Sequence, residues 1–483
     1  MKNSLIFIPQ KLWAYLALIA WGALSFVIVS KIPYGIDEGA ARALLLVWAV
    51  SGDVVSPVVT LGLPDFRSLF FIPVGYLWPG NLVAAKIFTL LVMASAAWAI
   101  YRWRQQSGDS ESGLLATGLL LISPLIINQI DTISVAPYLL IVFAWGAWLD
   151  RIYRDLPHPF GGAYFAQIIL SLVSVTLHPA GIAYPLSLLW AWHENPVDQK
   201  QKKSFYFGII FTVLLGLILT MGWSHIHWFT NPVRSLSEIL HASTAAEDMG
   251  IAHWLSGTVL LLGVLYVITK QLRILLADFL GRALLIAFCV GLLSGDSNWS
   301  VISLSIGLYW GLPMLLGNTG KGGFWGQRGP AFLVIFVIST VSMIADKVHY
   351  QNVQSEKLNS RDELIRYFAE DSGYFRSGSS AQNASKADAL KVASQWPGLT
   401  MLACRCDVFP LPDAAKDGDA LLRKLKSINL LIFDPKDPEN SSLSGNLAML
   451  DAGKADTIAL HPGGVVVEIK NPGQTSVVPD QAK

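Results

Sequence analysis

The stretch "WAYLALIAWGALSFVIV" at residues 13–29 decides the fold class, because it is apolar and long enough to cross a lipid bilayer. A transmembrane helix needs about 20 mostly apolar residues, with tolerance down to about 17. A cleaved signal peptide is the alternative, but no small-residue cleavage pattern follows, and similar stretches recur along the chain. We therefore interpret residues 13–29 as the first of several membrane spans.

The composition also indicates a bilayer environment. Of the 483 residues, 53% are hydrophobic and only 14% are charged, whereas a soluble domain carries about 25% charged residues. The net charge of +1 gives no signal for a nucleic-acid partner, which would require a basic surface. We predict a polytopic α-helical membrane protein that does not bind nucleic acid.

Hydropathy windows predict about eleven transmembrane helices. After residues 13–29, the predicted spans lie near residues 83–101, 114–130, 132–149, 163–177, 179–193, 205–223, 253–269, 279–293, 300–316 and 330–346.

The loop charges predict the orientation of these spans. Loops rich in Lys and Arg, such as "YRWRQQSG" and "DQKQKK", fall on the side of the N-terminus, and the short opposite loops carry neither residue. Positive loops stay in the cytoplasm. The N-terminus is therefore predicted to be cytoplasmic, and an odd number of spans places the C-terminus outside.

Three regions follow from this pattern. Residues 1–346 form the predicted transmembrane domain, and its outer loop 31–82 carries two apolar stretches too short to span. We expect these stretches, at residues 39–50 and 65–78, to form helices lying in the membrane interface. Residues 347–471 have a soluble composition and form a predicted extracytoplasmic domain, followed by a disordered tail at 472–483.

The extracytoplasmic domain is predicted to be a small α/β domain. "SRDELIRYFAE" and "DGDALLRKLKS" have helical patterns, whereas "LTMLACRC", "INLLIFDP" and "GVVVEIK" resemble strands. Alternating strands and helices favour a sheet with helices packed on it. The three cysteines are expected to be free thiols, because a Cys404–Cys406 bond would close a small, strained ring.

Two adjacent carboxylates, Asp37 and Glu38, follow the first span in "PYGIDEGAAR" at residues 33–42. They could cap the helix that begins at Gly39, since anions suit helix N-termini. Alternatively, a carboxylate held at a low-dielectric surface can act as a base near neutral pH. Glu38 also stands four residues before Arg42, so the two side chains could share one helix face.

Further polar residues lie at the same predicted outer face. Arg42, Arg67 and Lys86 could bind a lipid-linked phosphate and stabilise it as a leaving group, or they could reach to lipid headgroups. Asp131 and His178 occupy the next outer turns, where a helix cap and a structural histidine are the alternatives. Histidines and acids in the loop 224–252 have only loose spacing for a metal.

Four segments resemble the GT-C class of integral-membrane glycosyltransferases, which includes the bacterial lipid A aminoarabinose transferases and the protein O-mannosyltransferase-like enzymes. The first is the acidic motif "GIDEGAAR". The second is "PDFRSLFFIPVGYLWPGNLVAAKIFTLL" at residues 64–91, a Pro-rich, aromatic stretch that leads into the second predicted span, with Lys86 near the start of that span. The third is the span hairpin that carries Asp131, and the fourth is "LSLVSVTLHPAGIAYPLSLL" with His178. The resemblance covers roughly residues 10–200.

The resemblance implies a polyprenyl-phosphate-sugar-dependent glycosyltransferase of the bacterial inner membrane. An acceptor on a lipid, glycan or protein would attack the anomeric carbon with inversion, and Asp37 or Glu38 would take its proton. Arg67 and Lys86 would hold the donor phosphate, while Arg42, Asp131 and His178 would contribute to substrate binding. No cofactor is implied, and a divalent metal is compatible with the class without being indicated by a ligand cluster.

Two other functions remain open from the residues alone. A transporter or flippase for a lipid-linked sugar would show inverted repeats and charges in broken helices at the bilayer midplane, but here the charges cluster at one face. A membrane scaffold whose outer domain binds a partner would leave Asp37 and Glu38 dispensable.

Overall fold

The structure is a computed structural model of the chain. It describes residues 19, 21–23, 36–50, 65–106, 110–154, 162–194, 199–220, 265, 267–294, 302, 305–311, 361–371, 391–404, 407–412, 415–426, 428–437, 440–448, 450, 455–461 and 463–469.

The helices and strands follow one another along the chain in two groups. The helices of the first group are α1 (Glu38–Val50), α2 (Ser68–Leu77), α3 (Leu82–Gln106), α4 (Ser110–Ile122), α5 (Pro124–Asp131), α6 (Ala136–Arg154), α7 (Gly162–Leu177), α8 (Ala183–Glu194), α9 (Gln199–Leu219) and α10 (Phe279–Ser294). The second group comprises β1 (Lys391–Ser394), α11 (Pro397–Cys404), β2 (Asp407–Pro410), α12 (Gly418–Lys424), β3 (Leu430–Phe433), α13 (Ser441–Ala448), β4 (Ala455–His461) and β5 (Gly464–Ile469).

The chain divides into two compact units. The helical unit comprises Met1–Lys31 and Lys86–Val348, and the sheet unit comprises Ile32–Ala85 and His349–Lys483. The outer loop after the first span, predicted to belong with the transmembrane domain, thus groups with the C-terminal tail. The division of the chain into domains at residue 346 stays a prediction.

Several predicted spans coincide with helices of the helical unit. Within the part of the chain that the structure describes, α3 is the one helix long and apolar enough to cross a membrane. Helices α6, α7 and α10 match the predicted spans at residues 132–149, 163–177 and 279–293. The spans predicted at 13–29, 253–269, 300–316 and 330–346 lie largely or wholly outside the described residues, so the count of eleven stays a prediction.

One predicted span, at residues 114–130, is interrupted. Helix α4 ends at Ile122 and α5 begins at Pro124. Proline lacks a backbone N–H and disfavours helical geometry in the residue before it, and this accounts for the break at Ser123. The span predicted at 179–193 begins with a short 3-10 turn, Pro179–Ile182, before α8.

Helices α1 and α2 form where the two apolar stretches of the outer loop were predicted to be helical. Helix α2 exposes Leu69, Ile72 and Tyr76, which lie on one helix face. The position of this apolar face at a membrane interface stays a prediction. Helix α1 differs, because residues such as Ala41 and Trp48 are fully buried, so α1 belongs to the protein interior.

A five-stranded sheet forms the core of the C-terminal part, in the order β2-β1-β3-β5-β4. Strand β1 is parallel to β2 and β3, whereas β5 is antiparallel to β3 and β4. Successive residues face opposite sides of the sheet. Val392 accordingly joins a core with Met401 of α11, and Ala393 joins a second core with Leu421 of α12. Helices therefore cover both faces, as expected for an α/β domain.

Two expectations for this domain are wrong. The stretch 399–406 was predicted as a strand, but Pro397–Cys404 is helix α11; a short apolar run cannot be assigned by periodicity alone, and proline favours the first helical position. Cys404 is disulfide-bonded, whereas Cys289 is free. The expectation of a free thiol is therefore wrong for Cys404, because sequence spacing alone does not decide whether a cysteine is bonded, and it is confirmed for Cys289.

Candidate active site

Asp37 stands immediately before α1 and holds two different donors. Its Oδ1 accepts a hydrogen bond from the backbone N–H of Ala40, which is the geometry of a helix N-cap. Its Oδ2 accepts from Nη1 of Arg67 at 2.9 Å. The Asp37 side chain is 39% exposed. Because each carboxylate oxygen has two lone pairs, Asp37 keeps acceptor capacity on its accessible side.

Arg67 orients Asp37 from the protein interior. Its side chain is only 3% exposed, and its Nε and Nη2 donate to the two oxygens of Asp65 at 2.9 and 2.7 Å. Burial alone would lower the pKa of Arg67, but the charges of Asp37 and Asp65 raise that pKa well above its ordinary value. This forked geometry is specific to arginine and fixes the guanidinium in one position.

Gly39 makes room for that guanidinium. A Cβ at this position would lie 2.0 Å from Nη2 of Arg67 and 2.7 Å from Oδ2 of Asp65. Such separations are far below van der Waals contact, so a glycine is needed where α1 passes Arg67. The "DEG" of the acidic motif therefore supplies both the carboxylate and the space for its partner.

Glu38 points in a different direction from Asp37, toward helix α11. Its Oε1 accepts from the backbone N–H of Gly398 at 2.6 Å and from Nε of Arg42 at 3.0 Å, and its Oε2 accepts from the N–H of Leu399 at 3.1 Å. Burial raises the pKa of Glu38 above its ordinary value, although the hydrogen bonds from Gly398 and Leu399 and the charge of Arg42 act in the opposite direction. Glu38 is thus engaged by the protein through both of its oxygens.

Lys86 and Asp131 form an ion pair in the helical unit. Nζ of Lys86 lies 3.0 Å from Oδ1 of Asp131, and the Lys86 side chain is fully buried. Asp131 is the last residue of α5, so it does not cap the next helix, which begins at Ala136. A carboxylate at a helix C-terminus is disfavoured by the helix dipole, and the ammonium of Lys86 offsets that cost.

His178 has the geometry of a structural histidine. Its Nδ1 accepts a hydrogen bond from the N–H of Ala180 at 3.1 Å, and it caps the 3-10 turn Pro179–Ile182. This cap fixes the orientation of the imidazole ring. Substrate binding by His178 stays a prediction.

The structure thus brings Asp37 and Arg67 together, pairs Glu38 with Arg42, and pairs Lys86 with Asp131. Asp65 was missed as a site residue. The signal for Asp65 was the spacing Asp-x-Arg in "PDFRS". A carboxylate two residues before an arginine in a turn can accept hydrogen bonds from both the backbone N–H and the guanidinium of that arginine. Asp65 accepts both from Arg67. The role of each site residue in a reaction stays a prediction.

Among the described residues, no three His, Cys, Asp or Glu side chains are grouped as metal ligands. The histidine-containing loop 224–252 lies outside those residues.

Comparison with known proteins gives a likeness in fold. No model of a known protein family and no curated protein sequence matches the chain. One similar solved structure is the oligosaccharyltransferase of Archaeoglobus fulgidus in complex with Zn and sulfate, at 10% identity and a TM-score of 0.49, covering 86% of this chain and 68% of that one. Another is ArnT from Cupriavidus metallidurans bound to undecaprenyl phosphate, at 11% identity and a TM-score of 0.52, covering 98% and 100%. The predicted resemblance to the GT-C class of integral-membrane glycosyltransferases is confirmed at the level of the fold.

Proposed function

We propose that the chain is a glycosyltransferase that moves a sugar from a polyprenyl-phosphate-linked donor to an acceptor at the outer face of the bacterial inner membrane. The observation that carries the proposal is the Asp37 carboxylate, accessible at 39% and fixed by Arg67, on a fold shared with a protein solved with undecaprenyl phosphate. The N-terminus would be cytoplasmic and the α/β domain periplasmic.

The proposed reaction is a single inverting displacement. An acceptor hydroxyl on a lipid, glycan or protein attacks the anomeric carbon, and Asp37 takes the hydroxyl proton. The bond between the anomeric carbon and the phosphate oxygen breaks as the new glycosidic bond forms, and the polyprenyl phosphate leaves with the electron pair. General-base catalysis of this kind contributes about 100- to 10,000-fold to a rate.

The buried position of Arg67 refines its proposed role. At 3% exposure and bonded to two carboxylates, Arg67 is better suited to orienting Asp37 than to receiving a donor phosphate. Lys86 is fully buried and paired with Asp131, so its proposed contact with the donor phosphate rests on the resemblance to the GT-C class alone. Arg42, which is 32% exposed, is the second candidate for that contact.

Two matched variants test the role of Asp37. Asp37→Asn and Asp65→Asn each replace a carboxylate that accepts from Arg67, but only the first removes the proposed base. We expect Asp37→Asn to lower sugar transfer about 100- to 10,000-fold, and Asp65→Asn to have a much smaller effect. The readout is mass spectrometry of lipids and envelope glycans from cells that express each variant at equal protein level.

The same experiment contains the outcomes that oppose the proposal. Equal losses in both variants would assign Asp37 to the support of Arg67 rather than to proton transfer. Retention of most transfer in both Asp37→Asn and Glu38→Gln would refute the carboxylate mechanism. A lipid-linked sugar that accumulates on the cytoplasmic leaflet without the protein would instead support a flippase.

A further inference from the structure

Glu38 joins two parts of the sheet unit that are 360 residues apart in sequence. Its carboxylate receives the N–H groups of Gly398 and Leu399, which are the second and third residues of α11. The first N–H groups of a helix lack partners within the helix, and the N-terminus carries partial positive charge. Glu38 therefore caps α11 with a charged group that comes from α1.

The apolar contacts of α1 reinforce this connection. Leu45, two turns after Glu38, is fully buried in the same core as Val392 of β1 and Met401 of α11. One side of α1 is thus part of the hydrophobic core of the α/β domain. Since Asp37 is the N-cap of that same helix, its position depends on how α1 lies against α11.

We propose that Glu38 is a positioning residue, which docks α1 on the N-terminus of α11 and so makes the C-terminal α/β domain a working part of the active site. This inference rests on the proposed function, in which Asp37 is the base. Glu38 and Asp37 are adjacent in sequence, but their side chains contact different partners. Glu38 contacts α11, whereas Asp37 contacts Arg67.

The hydrogen bonds of Glu38 favour a positioning role over a role as a second general base. Both of its oxygens accept from backbone N–H groups, and one also accepts from Nε of Arg42. Protonating that carboxylate would weaken these bonds and loosen the docking that holds α1. The Glu38 carboxylate therefore holds α1 against α11 best when it stays ionised throughout the reaction, whereas a general base must take up a proton.

Gly398 gives a test that changes no ionisable group. A Cβ at Gly398 would lie 2.9 Å from Oε1 of Glu38 and 3.0 Å from Cγ of Arg42, so Gly398→Ala should displace the Glu38 carboxylate. The matched control is Gly445→Ala in α13 of the same domain, where a Cβ meets nothing within 4 Å. Neither substitution touches Asp37.

The first measurement needs no substrate. Deuterium uptake by the purified full-length protein in detergent is followed in peptides that cover residues 36–45. We expect Gly398→Ala to raise uptake there at least severalfold, because a loosened docking lets the start of α1 open, and Gly445→Ala to match the wild type. Unchanged uptake in Gly398→Ala would overturn the inference, whether or not the proposed function holds.

The second measurement is sugar transfer with the donor identified from the glycan comparison. We expect Gly398→Ala to lower kcat about tenfold, with little change in KM and with the pH dependence of kcat unchanged, because Asp37 remains the base. A lower thermal midpoint with an unchanged kcat per folded protein would mean a purely structural contact and would also overturn the inference. A failure of the proposed function would be recognised separately, because Asp37→Asn would then keep full activity.

Discussion

Replacing Gly39 by alanine tests whether Arg67 holds Asp37 in its working position. The new Cβ would start 2.0 Å from Nη2 of Arg67, and ordinary contact begins at 3.4 Å, so that nitrogen must move by about 1.4 Å. Arg67 is 3% exposed and has no solvent to move into. A shift of this size lengthens the 2.7 Å bond from Nη2 to Asp65 beyond hydrogen-bonding range.

The expected cost to folding is small, because two effects oppose each other. Losing one hydrogen bond between charged groups costs about 1.5–3 kcal/mol. Alanine in place of glycine within a helix returns about 1 kcal/mol, and Gly39 is the second residue of α1. The protein should therefore stay folded. Because the guanidinium is planar and rigid, Nη1 moves with Nη2 and displaces its partner Asp37. Sugar transfer should fall roughly 100-fold, since a displacement of about 1 Å at a catalytic group has an effect of that order.

The assay compares Gly39→Ala with Gly22→Ala, a helical glycine where a Cβ meets nothing within 4 Å. Both proteins are purified in detergent, their thermal midpoints are measured, and sugar transfer is followed by mass spectrometry. If Gly39→Ala transfers sugar within about threefold of the Gly22→Ala control, where roughly 100-fold was expected, then Arg67 does not set the position of Asp37, and the orienting role is refuted.

Three further predictions concern other parts of the chain. Asp131→Asn should destabilise the protein by about 3–5 kcal/mol, because it removes the carboxylate from a fully buried ammonium; adding Lys86→Met should restore the thermal midpoint but not the transfer. Burial raises the pKa of Asp278 to about 6, so the folded state binds its proton more tightly than the unfolded chain, and the contribution of Asp278 to stability should fall as pH rises from about 4 to 6. The difference in thermal midpoint between wild type and Asp278→Asn should shrink or reverse over that range, and a constant difference would contradict the shift. Reporter fusions at Gly108 and Ser360 should report opposite sides of the membrane, and a shared side would end the predicted topology.

The sequence predicted what depends on local patterns. Helices α3, α6, α7 and α10 lie where apolar runs of span length predicted them, and the GT-C resemblance rested on short motifs that keep their chain order. Helix α11 was mistaken for a strand, because its apolar run is too short to assign by periodicity and its N-terminus is completed by Glu38 from 360 residues away. Local propensity alone does not contain such a contact.

The candidate site likewise combines features that local sequence indicates with features that depend on distant contacts. Asp37, Glu38 and Arg42 were selected as candidates because ionisable residues beside a membrane span are costly and thus informative. The opposite directions of Asp37 and Glu38 could not be predicted, since each depends on a distant partner, Arg67 or α11. Gly39 and Gly398 were missed for a related reason, because the need for a glycine appears only when two backbone segments or a side chain approach closely.

The pairing of Arg67 with two carboxylates has a consequence for the proposed reaction. Asp37, Arg67 and Asp65 together carry a net charge of −1 from two carboxylates and one guanidinium. When Asp37 takes the acceptor proton, that charge becomes zero, and Asp65 alone balances Arg67. In the same step the leaving polyprenyl phosphate gains negative charge as it becomes a monoester. Proton transfer to Asp37 therefore removes negative charge from the protein while the phosphate acquires it, which lowers the repulsion that would otherwise oppose the breaking bond.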